Sequence, residues 1–360
     1  MIRGLAPGPA WPSTCYARRH VIGSDSSDRE STIRRAPLAS LLSLAALVFA
    51  TGAPGQPAEK VRRVTYLGNS TPALESEFVA AFRQGLRELN YVEGRNLVID
   101  YRWAEGRYDR FPALVAEAAD GRPDVIVTAG TPATLAAKNG TRTIPIVVAG
   151  MGDPVAAGVV PSLARPGGNV TGLASMTPDI DGKRLELLKE LVPGVSRIAV
   201  VWNPTNPNNA ARLQQMQAAA RALHLTLGPL VGAADGRDLE QGFDAVGAAR
   251  AEALVMESDR ALLAHRARIV DLAAQRRLPA LYPYREFVEA GGLVSYAPSY
   301  ADMFRRSAAY VDRIFKGARP ADLPIEQPTR FELVLSLKTA RALSLTIPQS
   351  VLLRADQVME

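Results

Sequence analysis

Residues 63–67 alternate polar and apolar positions and run into the polar loop Gly68-Asn69-Ser70-Thr71-Pro72. Beyond it Phe78, Phe82, Leu86 and Leu89 recur at helical spacing, which predicts an amphipathic helix over 74–89. The same unit recurs as strand 97–101 with helix 108–119, strand 124–128 with helix 132–139, and strand 144–149 with a short helix from Pro154. A second series follows the turn-rich stretch 167–172: helix 181–191, strand 197–202, helix 208–223, strand 226–230, helix 236–249, strand 253–257, helix 260–275 and strand 280–282. Strands alternating with helices of this size predict parallel sheets covered on both faces. The body therefore reads as an α/β protein of two Rossmann-like lobes joined by a hinge, with helix 300–315 and segment 324–343 packing back across it. The expected division is 61–176 with 297–322 for one lobe and 177–296 with 323–360 for the other.

In open α/β sheets ligands bind in the crevice outside the carboxyl ends of the strands. Each lobe's first strand ends in similar chemistry here, Asn69-Ser70 in one and Asn203-Pro204-Thr205-Asn206 in the other, so two facing edges would form an interlobe cleft. At Thr131-Pro132-Ala133-Thr134, Thr131 suits a helix cap and Pro132 the first helical position, leaving free N–H groups for an anion or carboxylate. An ordinary cap without a ligand fits the same residues. Asp153 could accept from a ligand amine or hydroxyl, or cap the short helix that Pro154 starts. Glu257 and Asp259 end a strand of the second lobe, where a carboxylate could meet an ammonium group, although Asp259 would equally cap helix 260–275. Tyr282, Tyr284, Tyr296 and Tyr300 crowd one late segment and suit either stacking on a ligand or hinge packing, while Trp103 reads as structural.

Composition narrows the class. The 360 residues are 47% hydrophobic and 22% charged, enough for two cores. The net charge is +6, but six arginines against three acids in residues 1–58 supply half of it, and the body has no basic stripe of the kind that neutralises phosphates. No nucleic-acid partner is expected. There is no GxSxG elbow, HExxH, P-loop or GxGxxG turn, the three histidines are scattered, and the one cysteine, Cys15, lies outside the body. No catalytic residue, metal site or cofactor is therefore expected. Arg34-Arg35, the apolar run 36–50 and the small residues that follow have the three parts of a secretory signal within a leader of 1–58. Cleavage near 50–58, with no cysteine there to be lipidated, predicts a periplasmic protein that is not a lipoprotein. Residues 1–30 do not read as part of that signal and suggest a start codon placed too far upstream.

Several blocks in fixed order carry a resemblance: Phe82-Arg83-Gln84-Gly85-Leu86, Tyr101-Arg102-Trp103-Ala104-Glu105-Gly106, Gly130-Thr131-Pro132-Ala133, Gly152-Asp153-Pro154-Val155, Arg165-Pro166-Gly167-Gly168-Asn169, Lys183-Arg184-Leu185-Glu186 and Gly291-Gly292-Leu293. From about Val64 to Val358 the body resembles the ABC-transporter substrate-binding proteins that include tryptophan- and tyrosine-type binders, on the type I periplasmic-binding-protein fold. The resemblance implies a design in which two lobes close on a small molecule and deliver it to a membrane permease; a monomer is expected. It maps the carboxylate loop to Thr131 and Ala133 with Thr134 alongside, and the remaining contacts to Asp153 and Asp259. Specificity is expected from Asn69, Ser70, Tyr282 and Tyr284, and Asn203, Thr205 and Glu257 complete the candidate set. Met151-Gly152 departs from some members. A small amino acid or aromatic carboxylate is the favoured ligand, a periplasmic sensor for a membrane receptor the main alternative, and a secreted α/β enzyme the next.

Overall fold

The computed structural model describes residues 60–175, 179–233 and 236–360. The leader and its apolar run lie outside the described residues. The first sheet is built by β1 (Arg62–Gly68), α1 (Ser76–Glu88), β2 (Leu97–Trp103), α2 (Phe111–Asp120), β3 (Val125–Thr128), α3 (Thr131–Gly140), β4 (Ile146–Met151) and β5 (Val170–Ala174). Its strands are all parallel, in the order β2-β1-β3-β4-β5. Successive side chains on a strand point to opposite faces, so a sheet covered on both sides needs nearly continuous apolar strands. Val64, Tyr66, Val125, Val127, Val147 and Ala149 enter one core with Phe78, Phe82 and Leu86 of α1. Leu67, Ile126, Ile146 and Val148 enter the other, with Phe111, Val115 and Ala118 of α2 and Ala133 and Ala137 of α3.

The second series continues as α4 (Ile180–Leu191), β6 (Arg197–Trp202), α5 (Pro207–Ala222), β7 (Thr226–Gly232), α6 (Leu239–Ala248), β8 (Ala253–Met256), α7 (Arg266–Gln275), β9 (Ala280–Tyr282), α8 (Arg285–Glu289) and β10 (Val294–Pro298). After α9 (Tyr300–Phe315) come β11 (Phe331–Ser336), α10 (Leu337–Ala342), α11 (Gln349–Leu352) and β12 (Gln357–Met359). The second sheet has the order β12-β11-β10-β9-β8-β6-β7 and is parallel except where β11 runs antiparallel to β10. That exception corrects the expectation of purely parallel sheets: β11 returns from the hinge and joins the edge from the opposite direction.

The chain passes between the sheets three times: from β5 to α4, from β10 to α9, and from Glu326 to β11. Helix α9 packs on α1 and β4 of the first sheet. The third crossing is anchored on β5, where the Ala174 N–H donates to the Glu326 carbonyl at 2.8 Å and the Thr171 hydroxyl to the Leu323 carbonyl at 2.7 Å.

Three local expectations change. The stretch after Pro154 is a run of turns and not a helix. Strand β5 lies where the sequence suggested only a junction. Helices α2 and α7 are each preceded by a 3₁₀ turn, Tyr108–Arg110 and Ala261–His265, so the helical periodicity starts before the α-helix does.

Candidate functional site

The carboxyl ends of both sheets face one small cavity of about 30 Å³. Ligand pockets for organic molecules run to roughly 300–1,000 Å³, so the lobes are closed against each other here. One wall comes from the first lobe's strand-end loops: Gly130, Thr131, Gly150, Met151 and Gly152, with Tyr108 beside them. The opposite wall carries Asn206, Asn208, Arg212, Ser258, Asp259 and Arg260, and Tyr284 and Tyr300 also line the cavity.

On the first wall, β3 ends at Thr128 and Gly130 turns the chain into α3 with φ 76°. Gly130 is the N-cap, Thr131 the first helical residue, and no side chain caps the helix. This corrects the expectation that Thr131 caps it. The Thr134 hydroxyl turns back to the Gly130 carbonyl at 2.7 Å, and Ala133 is buried in the core beneath the helix. Thr131 is 2% exposed and lines the cavity. Gly152 lies against the other lobe: a Cβ there would fall 2.2 Å from Asn208 Nδ2 and would displace that side chain. The departure Met151-Gly152 is thus a closing contact.

Behind that wall, Glu75 organises the end of β1. Its Oε1 accepts from the Asn69 N–H at 2.8 Å and the Ser70 N–H at 2.7 Å, and its Oε2 from the Tyr66 hydroxyl at 2.9 Å. Asn69 Nδ2 donates to the Ala129 carbonyl at 2.8 Å, whereas Asn69 Oδ1 and Ser70 Oγ are buried without partners. Burial, together with the Glu75 carboxylate, pushes the Tyr66 hydroxyl well above its ordinary pKa.

The second wall is charged and buried. Asp259 accepts from Tyr108 Oη at 2.7 Å, Asn206 Nδ2 at 2.7 Å, Asn203 Nδ2 at 3.1 Å and the Ala261 N–H at 3.0 Å. Both oxygens are committed inside the protein, and the Tyr108 bond spans the two lobes. Desolvation raises the Asp259 pKa, with these donors opposing. Asn203 also holds Thr205, accepting from its N–H at 3.0 Å and its hydroxyl at 2.7 Å, while Thr205 itself is exposed. Glu257 sits one step deeper, fully buried, with Oε2 2.6 Å from Arg212 Nη1. Arg212 Nη2 reaches Asp181 at 2.6 Å, and Arg184 lies 3.7 Å from the same carboxylate. Burial raises the Glu257 pKa to about 7, Asp181 adding to the shift and Arg212 opposing it.

Of the other anticipated residues, Tyr284 lines the cavity. Tyr282 instead stacks on Phe287 in the second lobe's core, with ring centres 4.9 Å apart. Asp153 Oδ1 accepts from the N–H groups of Val155 at 2.9 Å and Ala156 at 3.0 Å, so it caps the turn outside the cavity. Tyr296 stacks on Phe331 away from the cleft. Tyr300, another of the four clustered tyrosines, also lines the cavity, whereas Tyr108, Arg212 and Arg260 carry no such signal in the sequence. Arg260 directly follows Asp259 at a strand end, which was the one available signal, but its surroundings come from distant parts of the chain. Among the described residues no group of three or more metal-ligating side chains occurs, and no helix is long and apolar enough to cross a membrane.

This arrangement, two α/β lobes closed over a polar cavity and linked by three crossings, defines a ligand-capturing class of protein. The family model for ABC transporter substrate binding proteins matches residues 70–359, and the chain belongs to that family. It is 24% identical over 264 residues to a tyrosine-binding protein of Clostridioides difficile (strain R20291), covering 73% of this chain and 75% of that one. Among solved structures it is similar to a conserved domain protein of Vibrio cholerae O1 biovar eltor str. N16961, with 28% identity and a TM-score of 0.78 over 83% of this chain and 100% of that one. It is also similar to an ABC domain from Streptococcus pneumonia in complex with L-Trp, with 25% identity and a TM-score of 0.77 over 83% and 99% of the two chains.

Proposed function

We propose that this protein is a non-catalytic, exported solute-binding protein that traps a small amino acid or aromatic carboxylate between its lobes and passes it to an ABC permease. The lobes, 61–176 with 297–322 and 177–296 with 323–360, would rotate about the three crossings, after a signal centred on 36–50 is cleaved near 50–58. The observation that carries the reading is the closed interlobe cavity, whose walls come from opposite lobes and are held by the 2.7 Å Tyr108–Asp259 hydrogen bond. A ligand touching both walls favours the conformation in which both sets of contacts exist. Uncommitted donors stand on both sides, the start of α3 on one and the Arg260 guanidinium on the other, which suits an acidic group. The tyrosine-binding relative and the L-Trp complex support the same chemistry.

A thermal-shift screen of the purified protein against amino acids, aromatic acids, sugars and nucleosides tests this. A ligand at about 100 times its Kd contributes about 2.7 kcal/mol, a rise in Tm of roughly 5 °C. We expect that rise with at least one amino acid or aromatic acid. No response from any compound would contradict the reading.

A further inference from the structure

Arg260 is a buried cation with no direct ion-pair or hydrogen-bond partner at its terminal nitrogens. It is 4% exposed, lines the interlobe cavity, and has no hydrogen bond at Nη1 or Nη2. The other two buried arginines of its wall differ: Arg212 pairs with Asp181 and Glu257, and Arg184 lies beside Asp181. Three carboxylates lie nearby, Asp259, Glu75 and Glu286, and none forms an ion pair or hydrogen bond with the guanidinium. Asp259 holds its four donors, and Glu75 is bound by two backbone N–H groups and the Tyr66 hydroxyl. Aromatic rings surround the guanidinium instead, with Phe78 at 4.6 Å, Tyr300 at 4.8 Å, Phe304 at 5.2 Å and Tyr284 at 5.8 Å. Such rings offset part of the cost of burying the charge, but they accept on the flat faces. The N–H donors lie in the guanidinium plane, where a carboxylate binds with two parallel bonds.

Phe78 and Phe304 belong to helices of the first lobe, while Arg260 comes from the second. The position of its donors is therefore defined only when the lobes are closed. Across the same cavity stand Thr131 and the start of α3, whose first N–H groups have no partner within the helix.

We propose that Arg260 is the acid-recognising residue of the cleft: the ligand carries a carboxylate that docks on this guanidinium opposite the start of α3. Neutral molecules of the same shape are rejected, because they leave the guanidinium unpaired in the closed state. This rests on the solute-binding reading and adds to it the chemical group that the protein selects.

The test is isothermal titration calorimetry of the full chain, its R260Q variant and its R260K variant with three acid and amide pairs. The pairs are L-tyrosine and L-tyrosinamide, L-tryptophan and L-tryptophanamide, and phenylacetate and phenylacetamide. At least one acid is expected to bind the unaltered protein about 100-fold more tightly than its amide. R260Q should reduce that ratio to within about 3-fold by weakening the acid alone, and R260K, with the charge but not the fork, should fall between. Equal binding of acid and amide by the unaltered protein, or retention of the full ratio by R260Q, overturns the proposal. Should R260Q not fold, R260K decides: selective loss for the acid supports the proposal, and an unchanged ratio overturns it. A sugar or nucleoside that binds while every acid is silent removes the role of Arg260 and leaves solute binding standing. Silence of all compounds, here and in the wider screen, removes both.

Discussion

The two walls of the cleft are built by different means. The first lobe presents backbone: glycines, a threonine and the start of a helix at the ends of β3 and β4. The second presents side-chain charge, in which Arg212 reaches from the cavity lining to the buried carboxylates Asp181 and Glu257, beside Asp259 and Arg260. A backbone wall is fixed by the strands that carry it and, outside its glycines, tolerates changes of side chain. A charged wall depends on every partner, because removing one leaves another buried and unpaired. The two should therefore respond very differently to mutation and to pH.

The largest effect is expected at Arg212. R212M leaves Glu257 without its close cation and Asp181 with only Arg184 at 3.7 Å, and should cost about 3–5 kcal/mol of stability, read by urea denaturation. A loss below about 1 kcal/mol would mean that the network adds nothing to the wall.

The pH dependence comes next. With its folded pKa raised from 4.5 to about 7, Glu257 keeps a proton in the folded state that the unfolded chain has already released. Its contribution is full below about pH 4.5, declines as pH rises and is gone above about pH 7, with a span of at most about 3 kcal/mol. Stability measured between pH 5 and 7.5 should thus fall relative to E257Q, whose side chain does not titrate. Parallel curves would remove Glu257 as the titrating group.

Closure should depend on Tyr108, the first-lobe hydroxyl that reaches Asp259. Hydrogen bonds to charged groups contribute about 1.5–3 kcal/mol, so Y108F should weaken binding of a ligand from the screen by about 10-fold or more. Asp259 keeps three donors in that variant, and the fold should persist. Unchanged affinity would show that the bond does not contribute to closure.

The smallest effect belongs to the backbone wall. Because Gly130 and not Thr131 is the cap, T131V should change stability by no more than about 0.5 kcal/mol. A loss of about 1–2 kcal/mol would instead mark Thr131 as a capping residue.

The contrast between the walls also explains what could be read along the chain. Strands β3 and β4 and the loops that follow them are local patterns, apolar runs ending in glycine and small polar residues, and their position at a ligand edge follows from the fold class. Strand β5 escaped because it contains Gly172, with φ 127°, where a Cβ would lie 2.2 Å from the Val148 carbonyl oxygen. The residue that lets β4 and β5 pair reads locally as a turn. The charged wall had no local signal of this kind. Arg212 sits among polar residues on α5 and looks like part of a solvated face until Asp181 and Glu257 fold against it. Arg260 acquires its surroundings from Phe78 and Phe304, far away in the chain. Tyr282 and Tyr284 are two positions apart and both pack on Phe287, yet Tyr282 closes β9 inside the core while Tyr284, at the start of α8, reaches the cavity.

The central claim is that ligand is captured by closure of one wall on the other. Small-angle scattering of the purified protein, without ligand and saturated with a compound that raises its Tm, tests this most directly. The account predicts a smaller radius of gyration in the saturated protein, with Y108F needing more ligand to reach it. A bound ligand that leaves the radius of gyration unchanged in both proteins would contradict capture by closure.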